Sequence, residues 1–182
     1  MVQTAAAIVI VMGVSGSGKT TLGLALAERY GFHFLDDDDF HPLENVAKMR
    51  AGIALDDADR APWLARLAEL LRDAAERGEP TVLACSALKV SYRAILAAAS
   101  PDMLFVLLQG DPAILAARLG ARRGHYMPPS LLASQLATLE MPVPGQATLV
   151  LDCQRPVIEL CEAVMARLGT LAPGGEISPV QA

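Results

Sequence analysis

One octet constrains this chain more than any other stretch: Gly13-Val14-Ser15-Gly16-Ser17-Gly18-Lys19-Thr20. It follows Ile8 to Met12, a β-branched run that reads as a buried parallel strand. It leads into Thr20 to Tyr30, where Leu22, Leu26 and Tyr30 recur at helical spacing, and Gly31 stops that helix. Glycines at 13, 16 and 18 permit positive φ, so successive N–H groups can turn into one concavity. The helix behind adds about half a positive charge at its N-terminus. Lys19 adds a full charge, and the Thr20 hydroxyl is a hard oxygen ligand suited to magnesium. A Gly-x4-Gly-Lys-Thr pattern between a strand and a helix reads as a phosphate loop. A nucleoside triphosphate and Mg2+ are therefore the expected ligands, with Gly13, Val14, Ser15, Gly16, Ser17, Gly18, Lys19, Thr20 and Thr21 around the nucleotide.

The remaining pattern extends that beginning. Strands are predicted at Phe32 to Leu35, Thr81 to Cys85, Leu104 to Leu108 and Thr148 to Asp152. Helices are predicted at Glu44 to Arg50, Asp59 to Arg77, Lys89 to Ala99, Pro112 to about Leu119, Ser130 to about Leu139 and Arg155 to Leu168. Asp111 is placed to cap the helix opened by Pro112, and Pro62 is assigned to the first turn of its helix. This alternation implies a three-layer α/β fold, a five-stranded parallel sheet covered by helices on both faces. One domain is expected over 1–182, with a core at 6–169, an excursion at about 120–130 and a frayed tail at 170–182. With 53% hydrophobic residues over 182 positions, general disorder is excluded.

Composition also narrows the partners. A net charge of −5 argues against a nucleic-acid binder. No apolar run is long enough to span a membrane, and Met1 to Met12 lacks a basic leader. The cysteines, Cys85, Cys153 and Cys161, are odd in number and lack a Cys-x-x-Cys pair, which fits a reducing cytoplasmic setting. A guanine-reading Asn/Thr-Lys-x-Asp motif is absent, so a regulatory GTPase is disfavoured. The third strand ends in Cys85-Ser86 instead of a Walker-B acid, which disfavours a motor or transport ATPase.

The run Asp36-Asp37-Asp38-Asp39-Phe40-His41-Pro42 follows the second strand. In a parallel sheet the strand carboxyl ends share one cleft, so this run and Cys85-Ser86 should meet the phosphate loop there. A hydroxyl acceptor needs a carboxylate to orient it and take its proton. On extended chain, Asp36 and Asp38 would point to the same side, one toward magnesium and the other toward the acceptor.

These residues, with Asn45-x-x-Lys48-Met49-x-x-Gly52, Leu55-x-Asp57-x-Asp59-Arg60-x-Pro62-Trp63-Leu64, Cys85-Ser86-Ala87-Leu88-Lys89-x-x-Tyr92-Arg93, Arg122-x-Gly124-His125 and Ser134-Gln135-x-x-Thr138-Leu139-Glu140, resemble gluconokinase of the P-loop, shikimate-kinase-like type. The resemblance runs from Ile8 to about Leu168. It implies transfer of the ATP γ-phosphate to the 6-hydroxyl of D-gluconate, a nucleoside-monophosphate-kinase-like P-loop fold with its five parallel strands in the order 2-3-1-4-5, a mobile lid at about 120–130, and often a homodimer. Asp37 departs from it, since glycine or alanine is commoner there, and Ala54 stands in place of the usual proline.

Within that reading Asp38 is the base and Asp36, with Thr20, serves the metal. Gluconate is an anion, so Lys48, Arg60, Lys89 and Arg93 are its candidate cations. His41 either binds a sugar-acid hydroxyl or braces its own turn, and Ser86 either touches substrate or caps a helix. Trp63 reads as core or cleft wall. Arg122 and Arg123 are candidates for charge stabilisation on the transferring phosphoryl, with Arg118 behind them. His125 is a substrate contact or a hinge residue, and Arg155 and Pro156 are candidates for the adenine side. A kinase of shikimate or another sugar acid, and a nucleotide-binding protein that transfers nothing, are the alternatives.

Overall fold

The computed structural model describes residues 7–121, 130–142 and 147–171. Its sheet has five strands in the order β2-β3-β1-β4-β5, all pairings parallel. The strands are β1 (Ile8–Met12), β2 (His33–Asp36), β3 (Thr81–Ala84), β4 (Met103–Gln109) and β5 (Thr148–Asp152). The helices are α1 (Lys19–Tyr30), α2 (Leu43–Arg50), α3 (Asp57–Glu76), α4 (Val90–Ala97), α5 (Pro112–Ala121), α6 (Ser130–Thr138) and α7 (Val157–Leu171).

Every residue of β1 is buried, which explains its unbroken apolar sequence. Strand alternation divides the β1 side chains between two cores. Val9 and Val11 pack with Leu22 and Leu26 of α1 and with Cys161, Val164 and Leu168 of α7. Ile8, Ile10 and Met12 face Leu64, Leu67 and Leu71 of α3 and Leu96 of α4. Truncating a side chain such as Leu67, fully buried at a helix–sheet contact, costs about 2–5 kcal/mol. Cys85, Cys153 and Cys161 are free and buried, as small core hydrophobes.

Helix ends explain most boundary differences from the sequence reading. Gly31 closes α1 with φ 73° and donates to the Ala27 carbonyl at 3.0 Å. Asp111 caps α5, accepting from the Ala113 N–H at 2.7 Å. Helix α3 begins at Asp57, two residues before the expected start, because Asp56 and Asp59 form a reciprocal capping box. Asp56 accepts from the Asp59 N–H at 2.8 Å, and Asp59 accepts from the Asp56 N–H at 3.1 Å. Pro62 therefore lies inside the helix, a correction to the first-turn assignment. Helix α7 begins at Val157 and not at Arg155, because the chain after β5 first turns at Asp152, which accepts from the Gln154 N–H at 2.9 Å.

Candidate active site

The octet joins β1 to α1 as a loop whose glycines at 13, 16 and 18 have φ of 141°, 84° and 94°. Close approach adds to the glycine requirement. A Cβ on Gly13 would sit 2.7 Å from the Leu108 carbonyl oxygen, and one on Gly16 would sit 2.9 Å from that of Leu115. Internal bonds fix the loop. The Gly13 N–H donates to the Ser86 carbonyl at 3.3 Å, and the Ser17 N–H to the Val14 carbonyl at 3.2 Å. The first-turn N–H groups of α1 have no intrahelical acceptors and form the anion-binding end. Lys19 folds back, its Nζ donating to the Val14 carbonyl at 3.3 Å.

Beside the loop, Thr20 Oγ1 donates to Asp36 Oδ2 at 3.0 Å. Asp36, Asp37 and Asp38 each offer a carboxylate oxygen within 4.8 Å of the others. A hydroxyl and carboxylates in one place form a hard, all-oxygen donor set, which fits Mg2+. The route to this cluster differs from the expected one. The chain leaves β2 at Asp36 and enters a 3-10 turn, Asp37–Phe40, so Asp36 and Asp38 do not share one side of extended chain. Asp36 caps that turn, accepting from the Asp38 N–H at 3.2 Å.

Asp37, which the sequence reading gave no role, is the buried member. Its Oδ2 accepts from the Ser86 N–H at 3.0 Å, and its carbonyl accepts from Trp63 Nε1–H at 3.0 Å. Burial, reinforced by the Asp38 charge, pushes its carboxyl from 3.8 to about 7 against the pull of Lys19. Nothing in a run of four aspartates marks which one the fold buries.

One cavity gathers Ser15, Lys19, Thr20, Asp36, Asp38, His41, Arg60 and Ser86, with Trp63 in its wall. The His41 ring stacks on Trp63 with centroids 4.4 Å apart and planes 11° from parallel. Burial lowers the His41 pKa to about 4, so the ring is neutral near pH 7. Arg60 donates to the Leu55 carbonyl and packs 5.6 Å from the Tyr92 ring centroid.

The other expected cations stand elsewhere. Lys48 is paired with Asp59 at 2.6 Å, and Lys89 with Asp57 at 2.7 Å. Asp57 also accepts from the Tyr92 hydroxyl. Arg93 requires a correction, because it is fully buried in a structural position. Its Nη1 donates to the Ala87 and Leu88 carbonyls at 2.9 and 3.1 Å, and its Nη2 to the Glu140 carbonyl at 3.0 Å. A guanidinium bonded to three main-chain carbonyls is not presented to a carboxylate in the cleft. Arg122, Arg123 and His125, with the 120–130 lid they belong to, lie outside the described residues except at 120, 121 and 130.

On the other side of the loop is a second cavity, about 370 Å³, which shares Gly16 and Gly18 with the first. Thr21, Leu22, Arg118, Arg155, Val157 and Leu160 line it. Arg118 donates twice to the Cys153 carbonyl, each at 3.2 Å, so it shapes this wall. Gln135, quoted in the sequence reading only within a motif and given no role, accepts the Ser15 N–H at its Oε1 at 2.7 Å. Its place on α6, 120 residues further along the chain, does not by itself show contact with the loop.

A family model described as "AAA domain" matches residues 8–142. The gluconokinase of Gluconobacter oxydans (strain 621H) is 53% identical over 133 residues, 73% of this chain and 75% of that protein. A crystal structure of a gluconokinase from Sinorhizobium meliloti 1021 superposes with TM-score 0.81 at 45% identity, covering 93% of this chain and 94% of that one. A sugar kinase from Janibacter sp. HTCC2649 superposes with TM-score 0.86 at 43% identity, covering 93% and 99%. The loop, the acidic turn at the end of β2 and these relatives agree: the chain belongs to the gluconokinase family.

Proposed function

We propose that this chain transfers the γ-phosphoryl group of ATP to the 6-hydroxyl of D-gluconate, releasing ADP and 6-phospho-D-gluconate. The observation that carries the reading is the single cavity in which Lys19, Thr20, Asp36 and Asp38 meet His41 and Arg60. The nucleoside occupies the second cavity, with its phosphates crossing the loop at Gly16 and Gly18. Lys19 exchanges the Val14 carbonyl for the β- and γ-phosphates. Thr20 and Asp36 would hold Mg2+, which would supply charge neutralisation on the phosphate oxygens.

Asp38 orients the 6-hydroxyl and accepts its proton as the new P–O bond forms. The bond from the γ-phosphorus to its bridging oxygen breaks, and its electron pair leaves with ADP. Arg60 faces the gluconate carboxylate, and neutral His41, backed by Trp63, bonds a hydroxyl. Ser86 stands at the acceptor side, where Asp37 fixes its main chain. Lys48 and Lys89 join by exchanging Asp59 and Asp57 for substrate oxygens. Arg122, Arg123 and His125 complete the same reading by closing over the transferring group. A cytoplasmic homodimer of one domain over 1–182 is part of the proposal, and sedimentation of the full chain tests its size.

The deciding experiment measures ADP release with D-gluconate, gluconate epimers, shikimate, simple sugars and nucleoside monophosphates. Turnover with gluconate well above the others is expected. Turnover on another acceptor and none on gluconate overturns the assignment.

A further inference from the structure

The C-terminal half of α6 and the residues just past it are fastened to loops that carry the chemistry. Within that half, Gln135 Oε1 accepts the Ser15 N–H at 2.7 Å, a bond between residues 120 positions apart. Just past the same end of the helix, Glu140 makes three contacts. Its N–H donates to the Leu88 carbonyl at 2.9 Å, its carboxylate accepts the Val90 N–H at 2.6 Å, and its carbonyl accepts Arg93 Nη2–H at 3.0 Å. Those partners lie directly after Ser86, whose carbonyl accepts the Gly13 N–H and whose N–H is held by Asp37.

The position of Ser15 along the loop gives this bond its meaning. Ser15 and Gln135 line the cavity that holds Lys19 and Asp38, whereas Ser17 lines the nucleoside cavity and Gly16 and Gly18 line both. Ser15 therefore stands at the acceptor end of the loop, where the terminal phosphate meets the hydroxyl. A main-chain N–H can only donate, so the amide offers its oxygen there. Fixing this part of the loop before substrates arrive avoids reorganisation during transfer.

We propose that Gln135 is a positioning residue for phosphoryl transfer: it sets the acceptor end of the phosphate loop and, through α6 and Glu140, keeps that end in register with the loop after β3. The inference rests on the reading of this cleft as a phosphotransfer site and not on which acceptor it takes.

The test uses the full chain with Gln135→Met, which removes the acceptor at similar size, and Gln135→Glu, which retains it. Calorimetry with Mg2+ compares ADP with a non-hydrolysable ATP analogue, alongside steady-state kinetics and melting. For Gln135→Met, kcat and analogue affinity should each fall about tenfold, the scale of one lost hydrogen bond. ADP affinity should stay within about twofold. Gln135→Glu should melt and bind ADP like the parent while weakening analogue binding, because its charge faces the terminal phosphate. A Gln135→Met enzyme with unchanged kcat overturns the proposal. So does an equal loss of ADP and analogue affinity with earlier melting, which marks general support of the fold. Should gluconate prove not to be the acceptor, the difference between ADP and the analogue still decides the role of Gln135.

Discussion

Trp63 donates its indole N–H to the main-chain carbonyl of Asp37 at 3.0 Å, and so ties α3 to the acidic turn. The same indole carries the stacked His41 ring on one face. Replacing Trp63 with Phe keeps an aromatic wall but leaves the Asp37 carbonyl unpaired. We expect a stability loss of about 1–3 kcal/mol, read by denaturant unfolding, together with a raised KM for the sugar acid. Trp63 is the only tryptophan of the chain, so the parent's intrinsic fluorescence should respond to acceptor binding.

Asp37 makes stability depend on pH in the metal- and nucleotide-free protein. Its folded pKa, about 7, lies above the ordinary 3.8, so folding favours the neutral acid. Its contribution is fully present below about pH 4 and is lost as pH rises through about 7. Asp37→Asn keeps an acceptor for the Ser86 N–H and cannot ionise. The variant should gain on the parent between pH 5 and 8, by on the order of a few kcal/mol in urea titrations. Parallel pH profiles for the two proteins would show that Asp37 is not the group responsible.

Arg93 and Arg60 should separate cleanly. Arg93→Met strands the Ala87 and Glu140 carbonyls, leaves the Leu88 carbonyl to the Glu140 N–H alone, and should lower stability by about 3 kcal/mol or more, seen as early melting. Arg60→Ala should raise the KM for gluconate about tenfold while melting close to the parent. Reversal of this pattern would return Arg93 to the substrate site.

For the reacting groups, Asp38→Asn should lower kcat by about 10²–10⁴ with nucleotide affinity preserved. Lys19→Ala should lower kcat about a hundredfold or more and also weaken ATP. Near-normal turnover of Asp38→Asn would move the base elsewhere.

The sequence made legible whatever depends on local chemistry. The glycine octet after an apolar strand dictates its own conformation, the β/α alternation implies a parallel sheet covered on both faces, and the family resemblance supplies the order β2-β3-β1-β4-β5 that the sheet adopts. Side-chain partners across the fold were less legible. Arg93 looked like a substrate cation because its helix opens right after Cys85-Ser86 and its planar fork suits a carboxylate. Its bonds to the Ala87, Leu88 and Glu140 carbonyls, the last 47 residues away, show that it secures main chain. Lys48 and Lys89 were read as available charge, yet Asp59 and Asp57, each quoted within a motif, neutralise them. Asp37 escaped notice because identical neighbours conceal the one whose surroundings differ.

The central place of β1 separates two kinds of selectivity. On the proposed reading, residues that meet the acceptor come largely from the β2 and β3 side, and those around the nucleoside come from α1 and the β4 and β5 side. Only the loop glycines are common property. A lineage that keeps this architecture is free to exchange one half of its chemistry while inheriting the other. Grafting 36–64 from a kinase of another acid should therefore redirect what is phosphorylated without retraining the choice of donor.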